Sequence, residues 1–495
     1  MTTIQRRIFL FFFVLLFLLT APVIVLFATG YRFDQTGNIF VHSGSITIES
    51  WPRDIEVYLN GEKQKNKTLN NINNAYTING LRPGHYQLSC KKDGFTTWEK
   101  TIDVHSGIST EFWNVLLFPH NMPKTLIYDT PSIKQFFLSP RNNDEIVFFS
   151  EENNLKKVSL LNIKDNLPEE IFQTDTLEFM EQGAKENVEW SSDNKQILIP
   201  FQQKGAKVYV IARIQKDQLR NIINLNELID DPTIELEKAR WMFDKNDELV
   251  LLTKDRKLYY FFLDQPKEKI LLAENVSGFN FAGNRIYYTQ LPNNIVWEIK
   301  DYDLSTKRQI TNLSIANNNE SFVELTVYNE YEIAIIDGTK TLYVFNEEKE
   351  KGEKSLSEIN KNVQGIQFSD DGKKLLYWTD NEIWTLMLRD WEVQPLRTKN
   401  SRILITRFSR PVYNVQWMDN YENILFSVDN EFKSAELDNR DHINIVDVVK
   451  STFNLTDRDA FYNKNNQTLF LKNKFNDSDK LQSYLLIDKT SFLGF

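Results

Sequence analysis

Histidine and cysteine are the side chains best suited to metal or nucleophilic chemistry near neutral pH, and here their spacing supplies none. His42, His85, His105, His120 and His442 include no pair at the separation of about three to five residues that brings two imidazoles onto one ion. They read as surface or turn residues. Cys90 stands alone, which excludes an internal disulfide and a cysteine-based metal site. Asp457-Arg458-Asp459 and Asp477-Ser478-Asp479 carry the alternating carboxylates of a calcium loop but lack its glycine and distal glutamate, so they read as solvated turns. Neither a Gly-x-Ser-x-Gly elbow nor a Walker-type or Gly-x-Gly-x-x-Gly loop occurs. No catalytic, cofactor-binding or metal-binding residue is assigned, and no cofactor is expected.

The elements around these residues are more informative. At 495 residues the chain exceeds one ordinary core, so at least two domains are expected. A formal charge of −10 opposes binding to a phosphate backbone, which argues against nucleic acid as a partner. From Ile8 to Phe27 the sequence "IFLFFFVLLFLLTAPVIVLF" carries no charge over about 20 residues, the length at which a helix crosses the hydrocarbon of a bilayer. Arg6 and Arg7 precede it, and Arg32 is offset by Asp34 beyond it. The positive-inside bias therefore keeps the N-terminus cytoplasmic and exports everything after Gly30. The competing reading is a cleaved signal peptide ending at Ala28-Thr29-Gly30. The length of the apolar run favours a retained anchor.

Residues 31–43 read as a tether. In "SITIESWPRDIEVYLNGEK", Ile46 and Ile48 alternate with Thr47 and Glu49 in the period-two pattern of a half-buried strand. Trp51-Pro52 ends that strand, and a second one, Ile55 to Leu59, meets the hairpin dipeptide Asn60-Gly61. A polar loop, a strand around "AYTI", Pro83-Gly84, and two strands flanking Asp93-Gly94 follow. The order "GSITIES.P....VYLNG" and then "LRPGHYQLS.KKDGF..WEKTI" resembles the PEGA domain over residues 44–120. The namesake tetrapeptide is represented by Pro52-Arg53-Asp54-Ile55, which keeps only the proline. The resemblance implies a small extracytoplasmic β-sandwich without catalysis.

The remainder, residues 121–495, repeats. Segments of the form "EWSSDNKQILIPF", "RWMFDKNDELVLL" and "QFSDDGKKLLYW" recur with anchors at Leu138, Trp190, Trp241, Phe281, Val327, Phe368, Trp417 and Tyr462. The mean spacing of about 46 residues is that of four-stranded propeller blades. "FSDDGKKLLYW", Phe368 to Trp378, resembles a TolB-like or WD-repeat blade, in which Asp370-Asp371-Gly372 turns the first strand into the second. Eight blades fit best, with seven as the alternative. "KTLIYD", Lys124 to Asp129, could close the ring by joining the last blade. The Trp anchors offer sugar-stacking surfaces, but at blade period they are expected as inter-blade core.

The expected fold is thus all-β after one N-terminal transmembrane helix: a tip and helix over residues 1–30, a tether, a PEGA-like β-sandwich and a β-propeller. The expected function is a membrane-anchored extracytoplasmic binding or scaffolding protein of the cell envelope, not an enzyme. It would contact the bilayer through Ile8–Phe27 and an envelope protein or cell-wall glycan through its propeller. The alternative is a propeller enzyme, a glycan lyase or hydrolase, which would require carboxylates, His, Tyr or Arg converging at the mouth of the channel. The sandwich is expected to act as a positioning stalk.

Overall fold

The computed structural model describes residues 3–34, 39–64, 75–130, 132–140, 144–165, 167–180, 188–214, 222–312, 321–347, 356–475 and 478–487. Its one long helix, α1 (Thr3–Ala28), includes Pro22. The apolar window Ile4–Ala28 has a mean hydropathy of 3.0, and none of it is buried within the protein. Thr20 Oγ1 donates to the Leu16 carbonyl at 2.8 Å, so its hydroxyl is satisfied without water. Gly30, at φ +92°, takes the left-handed conformation that ends the helix.

Residues read as a tether form a ladder instead. Tyr31–Asp34 pairs antiparallel with Ile39–His42, in the register Tyr31 to His42 and Phe33 to Phe40. Ser43 ties this ribbon to the helix end, donating to the Gly30 carbonyl from N at 2.8 Å and from Oγ at 2.6 Å. The Arg32 guanidinium lies 4.0 Å from the centroid of the Phe27 ring.

The sandwich follows from alternation. One sheet has the order Tyr76–Leu81, Gly44–Trp51, Ser109–Leu116, its last pair parallel. The other has the order Glu62–Lys63, Glu56–Leu59, Gly84–Lys91, Trp98–Val104. Ile46 and Ile48 turn inward onto Val57, Leu88, Cys90 and Trp98 from the facing sheet. Asn60 and Gly61 both have positive φ, 50° and 80°, and form the expected hairpin turn. The polar loop over 65–74 lies outside the described residues.

Lys100 falls on the buried side of its strand, between Trp98 and Ile102. A lysine there needs partners for a fully desolvated ammonium. They come from far along the chain, because the first compact unit comprises residues 1–121 together with 390–398 and 435–448. Lys100 Nζ lies 2.8 Å from the Glu436 carboxylate and donates to the carbonyls of Asp438 at 2.8 Å, Arg440 at 2.9 Å, and His442. Trp98 Nε1 donates to Glu436 Oε2 at 2.8 Å. Arg440 lies 4.1 Å from the centroid of the Phe112 ring and donates to the Glu111 carbonyl at 2.7 Å. The compact unit that contains the sandwich thus includes two segments distant in the chain, 390–398 and 435–448.

The second unit, residues 122–389, 399–434 and 449–495, is a β-propeller built from antiparallel meanders. Its described residues form eight sheets of four or five strands. In each, the predicted anchor stands at, or one residue from, the C-terminal end of the first strand: Leu138 in Gln135–Leu138, Trp241 in Leu236–Trp241, Phe368 in Gly365–Phe368, Trp417 in Val412–Trp417. Lys124–Thr130 pairs antiparallel with Ser478–Leu485, so the first strand of the unit joins its last sheet. Apolar clusters bridge consecutive sheets. Phe149 and Val158 meet Ile199 and Phe201, while Ile127, Phe470 and Leu481 meet Phe136 and Ile146 at the closure.

The anchors are not equally buried. Leu138, Trp190, Trp241, Trp417 and Tyr462 are core, as expected, whereas Phe281, Val327 and Phe368 are half-buried. Their partners explain two of these: Phe281 holds Arg240 at 5.1 Å from its ring centroid, and Phe368 tilts against Tyr328 at 5.8 Å. Asp370-Asp371-Gly372 is a turn, with Ser369 Oγ donating to Asp371 Oδ1 at 2.6 Å and Gly372 at φ +68°. Asp457-Arg458-Asp459 is not solvated as expected. Asp459 is buried, pairs with Lys472 at 2.6 Å, and accepts from Thr456 N at 2.8 Å and Oγ1 at 2.7 Å. Asp479 accepts from Ile133 N at 2.7 Å, and Asp477 lies outside the described residues.

Two outcomes follow for unfolding of the full chain in urea. Trp417→Ala should cost about 3–5 kcal/mol, because a fully buried indole leaves a cavity; a cost below about 1 kcal/mol would displace it from the core. Lys100→Met should also cost about 3–5 kcal/mol, because it strands a buried carboxylate, and a neutral result would show that Glu436 finds other partners.

Candidate functional site

Four consecutive anchors of the propeller unit converge. Leu138, Trp190, Trp241 and Phe281 line a cleft of about 420 Å³, together with Glu189, Arg240, Asn280, Met242, Phe243 and Asp244. The strand geometry explains the set. Each anchor ends a first strand, so the residue before it projects to the opposite face and the residues after it form the turn at the same end.

The pre-anchor residues form a polar chain from sheet to sheet. Arg240 Nε donates to Glu189 Oε1 at 2.5 Å, and its Nη1 donates to Asn280 Oδ1 at 2.6 Å. Asn280 Nδ2 donates to the Leu325 carbonyl at 2.6 Å in the next sheet. Glu189 also receives the following anchor: Trp241 Nε1 donates to its carbonyl at 3.2 Å, and Trp241 N to its Oε2 at 3.3 Å. The same device recurs away from the cleft. Gln367 accepts from Trp417 N and Nε1, both at 3.0 Å, and Gln416 Oε1 accepts from Tyr462 N at 3.0 Å. Around the turn, Ser191 Oγ donates to Asp193 at 2.8 Å and Ser192 Oγ to Asp244 at 2.9 Å.

Glu189 and Arg240 thus neutralise one another. Two features remain open. Phe243 is 52% exposed at the rim, and the indole N–H of Trp190, a buried residue, has no hydrogen-bond partner among the described residues. An aromatic-walled cleft whose polar groups are engaged with one another suits an apolar group. The tryptophans are therefore core, as expected, but Trp190 and Trp241 also present surface to the cleft.

The five histidines all fall in the first unit and do not converge. His85 pairs with Asp103, and His442 Nδ1 lies 2.9 Å from Asp441 Oδ2, both near the surface. Among the described residues no three His, Cys, Asp or Glu side chains gather as a metal site. Sequence reasoning assigned no site residue and missed Glu189, Arg240 and Asn280. The available signal was a polar residue immediately before each aromatic anchor: Glu189-Trp190, Arg240-Trp241, Asn280-Phe281, Gln367-Phe368 and Gln416-Trp417.

Comparison with known proteins decides the smaller unit. Residues 43–116 match the PEGA domain. The PEGA segment coincides with the two-sheet sandwich from Gly44–Trp51 to Ser109–Leu116. None of the curated proteins compared matches the chain. Among solved structures, the C-terminal WD40 domain of Sif2 is similar at 10% identity, covering 73% of this chain and 98% of that one, with a TM-score of 0.48. The Dos1 propeller is similar at 10% identity, over 73% of this chain and 95% of its own, also at 0.48. The β-propeller domain of Myceliophteria thermophila Cps50 (Swd1) shares 8% identity over 73% and 99%, at 0.41.

A double-mutant cycle of Glu189→Gln and Arg240→Met should return a coupling of about 0.5–3 kcal/mol in urea unfolding, as for residues sharing one hydrogen-bond network. Additive effects would show that the pair does not join its sheets.

Proposed function

We propose that the chain is a membrane-anchored, extracytoplasmic binding protein of the cell envelope. In this reading α1 spans the bilayer with Arg6 and Arg7 on the cytoplasmic side. The propeller captures an envelope protein by taking an apolar side chain into the cleft beside Trp190. The observation that carries the proposal is the chemistry of that cleft. A glycan presents hydroxyls that need several free donors and acceptors, whereas here the carboxylate of Glu189, the guanidinium of Arg240 and the amide of Asn280 are engaged with one another. An apolar side chain of a protein partner answers the aromatic wall. Mutual neutralisation of Glu189 and Arg240, with Asp244 accepting from Ser192, likewise favours capture over bond cleavage.

Benzoylphenylalanine placed at Phe243 in intact cells should crosslink to a protein. Trp190→Phe, which shrinks the aromatic wall, should lower crosslinking about five-fold, the effect of roughly 1 kcal/mol of lost apolar contact. Crosslinks to carbohydrate alone, or yields indifferent to Trp190→Phe, would overturn the cleft assignment. Protease added to spheroplasts should digest the region after Tyr31, and its protection would overturn the topology.

A further inference from the structure

The ribbon behind α1 holds apolar surface that the protein itself does not cover. Tyr31 and His42, its proximal pair, are half-buried, their rings 5.1 Å apart, with His42 beside Gly107. The distal pair differs. Phe33 and Phe40 face each other across the ladder at 5.4 Å between centroids and are each 41% exposed, while Ile39 is 57% exposed. A two-stranded ribbon cannot bury its own side chains and is marginal in water without a surface to pack on.

Its position supplies that surface. The ribbon begins at Tyr31, three residues past the end of the apolar helix at Ala28, and Ser43 clamps its far strand back onto Gly30. A helix with its apolar window in hydrocarbon places its end, and whatever is tied there, at the headgroup boundary. Arg32 fits the same depth: its stem lies along the helix terminus, with the guanidinium over Phe27 and donating to the Phe27 carbonyl at 3.1 Å.

We propose that the ribbon of Tyr31–Asp34 and Ile39–His42 is a second membrane contact, with Phe33 and Phe40 seated in the outer interfacial layer of the lipid that α1 crosses. The occupant of this apolar face is lipid, on the ground of its continuity with the helix. Aromatic side chains favour that layer, and a side chain there fixes the angle at which the chain leaves the bilayer. The proposal rests on the reading of α1 as a retained span, and its test separates the two.

The probe is a thiol-reactive NBD dye on the full chain in nanodiscs of mixed neutral and anionic phospholipid. Cys90 is fully buried, and burial pushes its thiol pKa upward, so an introduced cysteine is the reactive one. Dye at Phe40→Cys should be quenched about two-fold or more by lipids brominated near the headgroup, and dye at Leu15→Cys by lipids brominated in mid-chain. Phe33→Cys, on the same face, provides an independent label should Phe40→Cys fail to fold. Quenching at position 15 with none at 33 or 40 overturns the ribbon contact and leaves the span standing. Blue-shifted but unquenched emission at 40 means that protein, such as a second copy, covers the face, and also overturns it. No quenching at position 15 removes the span and the proposal together.

Discussion

The propeller unit depends on one ladder, the antiparallel pairing of Lys124–Thr130 with Ser478–Leu485. Twisted sheets stacked side by side leave an unpaired strand at each end of the row, and each such edge is open both to solvent and to aggregation. Joining the first strand of the unit to its last sheet removes both ends at once. The closure is also packed: Ile127 from the first strand and Leu481 from the last enter the same apolar cluster as Phe136 and Ile146 of the adjoining sheet. Because every inter-sheet cluster is shared by two neighbours, loosening this ladder would expose one face of the sheet on either side. The ladder therefore holds together long-range contacts that no local segment can make alone.

Once the row is closed, the pre-anchor residues set the fine geometry between sheets. Apolar stacking is non-directional and would tolerate sliding, whereas a hydrogen bond from an anchor to the preceding sheet does not. Trp241 on Glu189, Trp417 on Gln367 and Tyr462 on Gln416 each fix a neighbour at one height. The cleft lies where this device is most charged, with Arg240 spanning Glu189 and Asn280. The inner strand of its sheet is also divided there: Glu178–Phe179 and Glu189–Trp190 both pair with Gln196–Gln203. The cleft is thus a product of the ladder that positions the sheets, with Trp190 left holding a donor that its own sheet does not use.

Elements with a strong period were legible in the sequence, and elements defined by partners distant in the chain were not. Ile46 and Ile48, the eight anchors, the Asp370-Asp371-Gly372 turn and the Asn60-Gly61 hairpin all announce themselves within a few residues, because alternation and turn chemistry are local. The ribbon after α1 was locally visible too: Tyr31-Arg32-Phe33 and Ile39-Phe40-Val41 flank a polar stretch containing Gly37-Asn38, but the proximity of a long apolar helix suggested a linker. Asp459 was misread because its partner, Lys472, stands on another strand and no local signal distinguishes a buried aspartate from a solvated one. The cleft lies between these cases. Its polar-aromatic dipeptides are written in the sequence, while the contact of Arg240 with Asn280 exists only once two sheets adjoin.

Lys100 shows most clearly what a local reading omits. The alternation of Trp98–Val104 is that of an ordinary half-buried strand with one lysine out of place. The lysine makes sense only with residues 435–448, where one carboxylate and three carbonyls surround its ammonium. A buried charge of this kind contributes little net stability when fully paired, yet it discriminates sharply against any arrangement that leaves it unpaired. Its effect is therefore on the specificity of pairing within this unit. The PEGA match ends at residue 116, but the acceptors of its buried ammonium lie between residues 436 and 442. The PEGA segment and residues 435–448 therefore specify this core jointly, since neither stretch alone supplies both the ammonium and its acceptors.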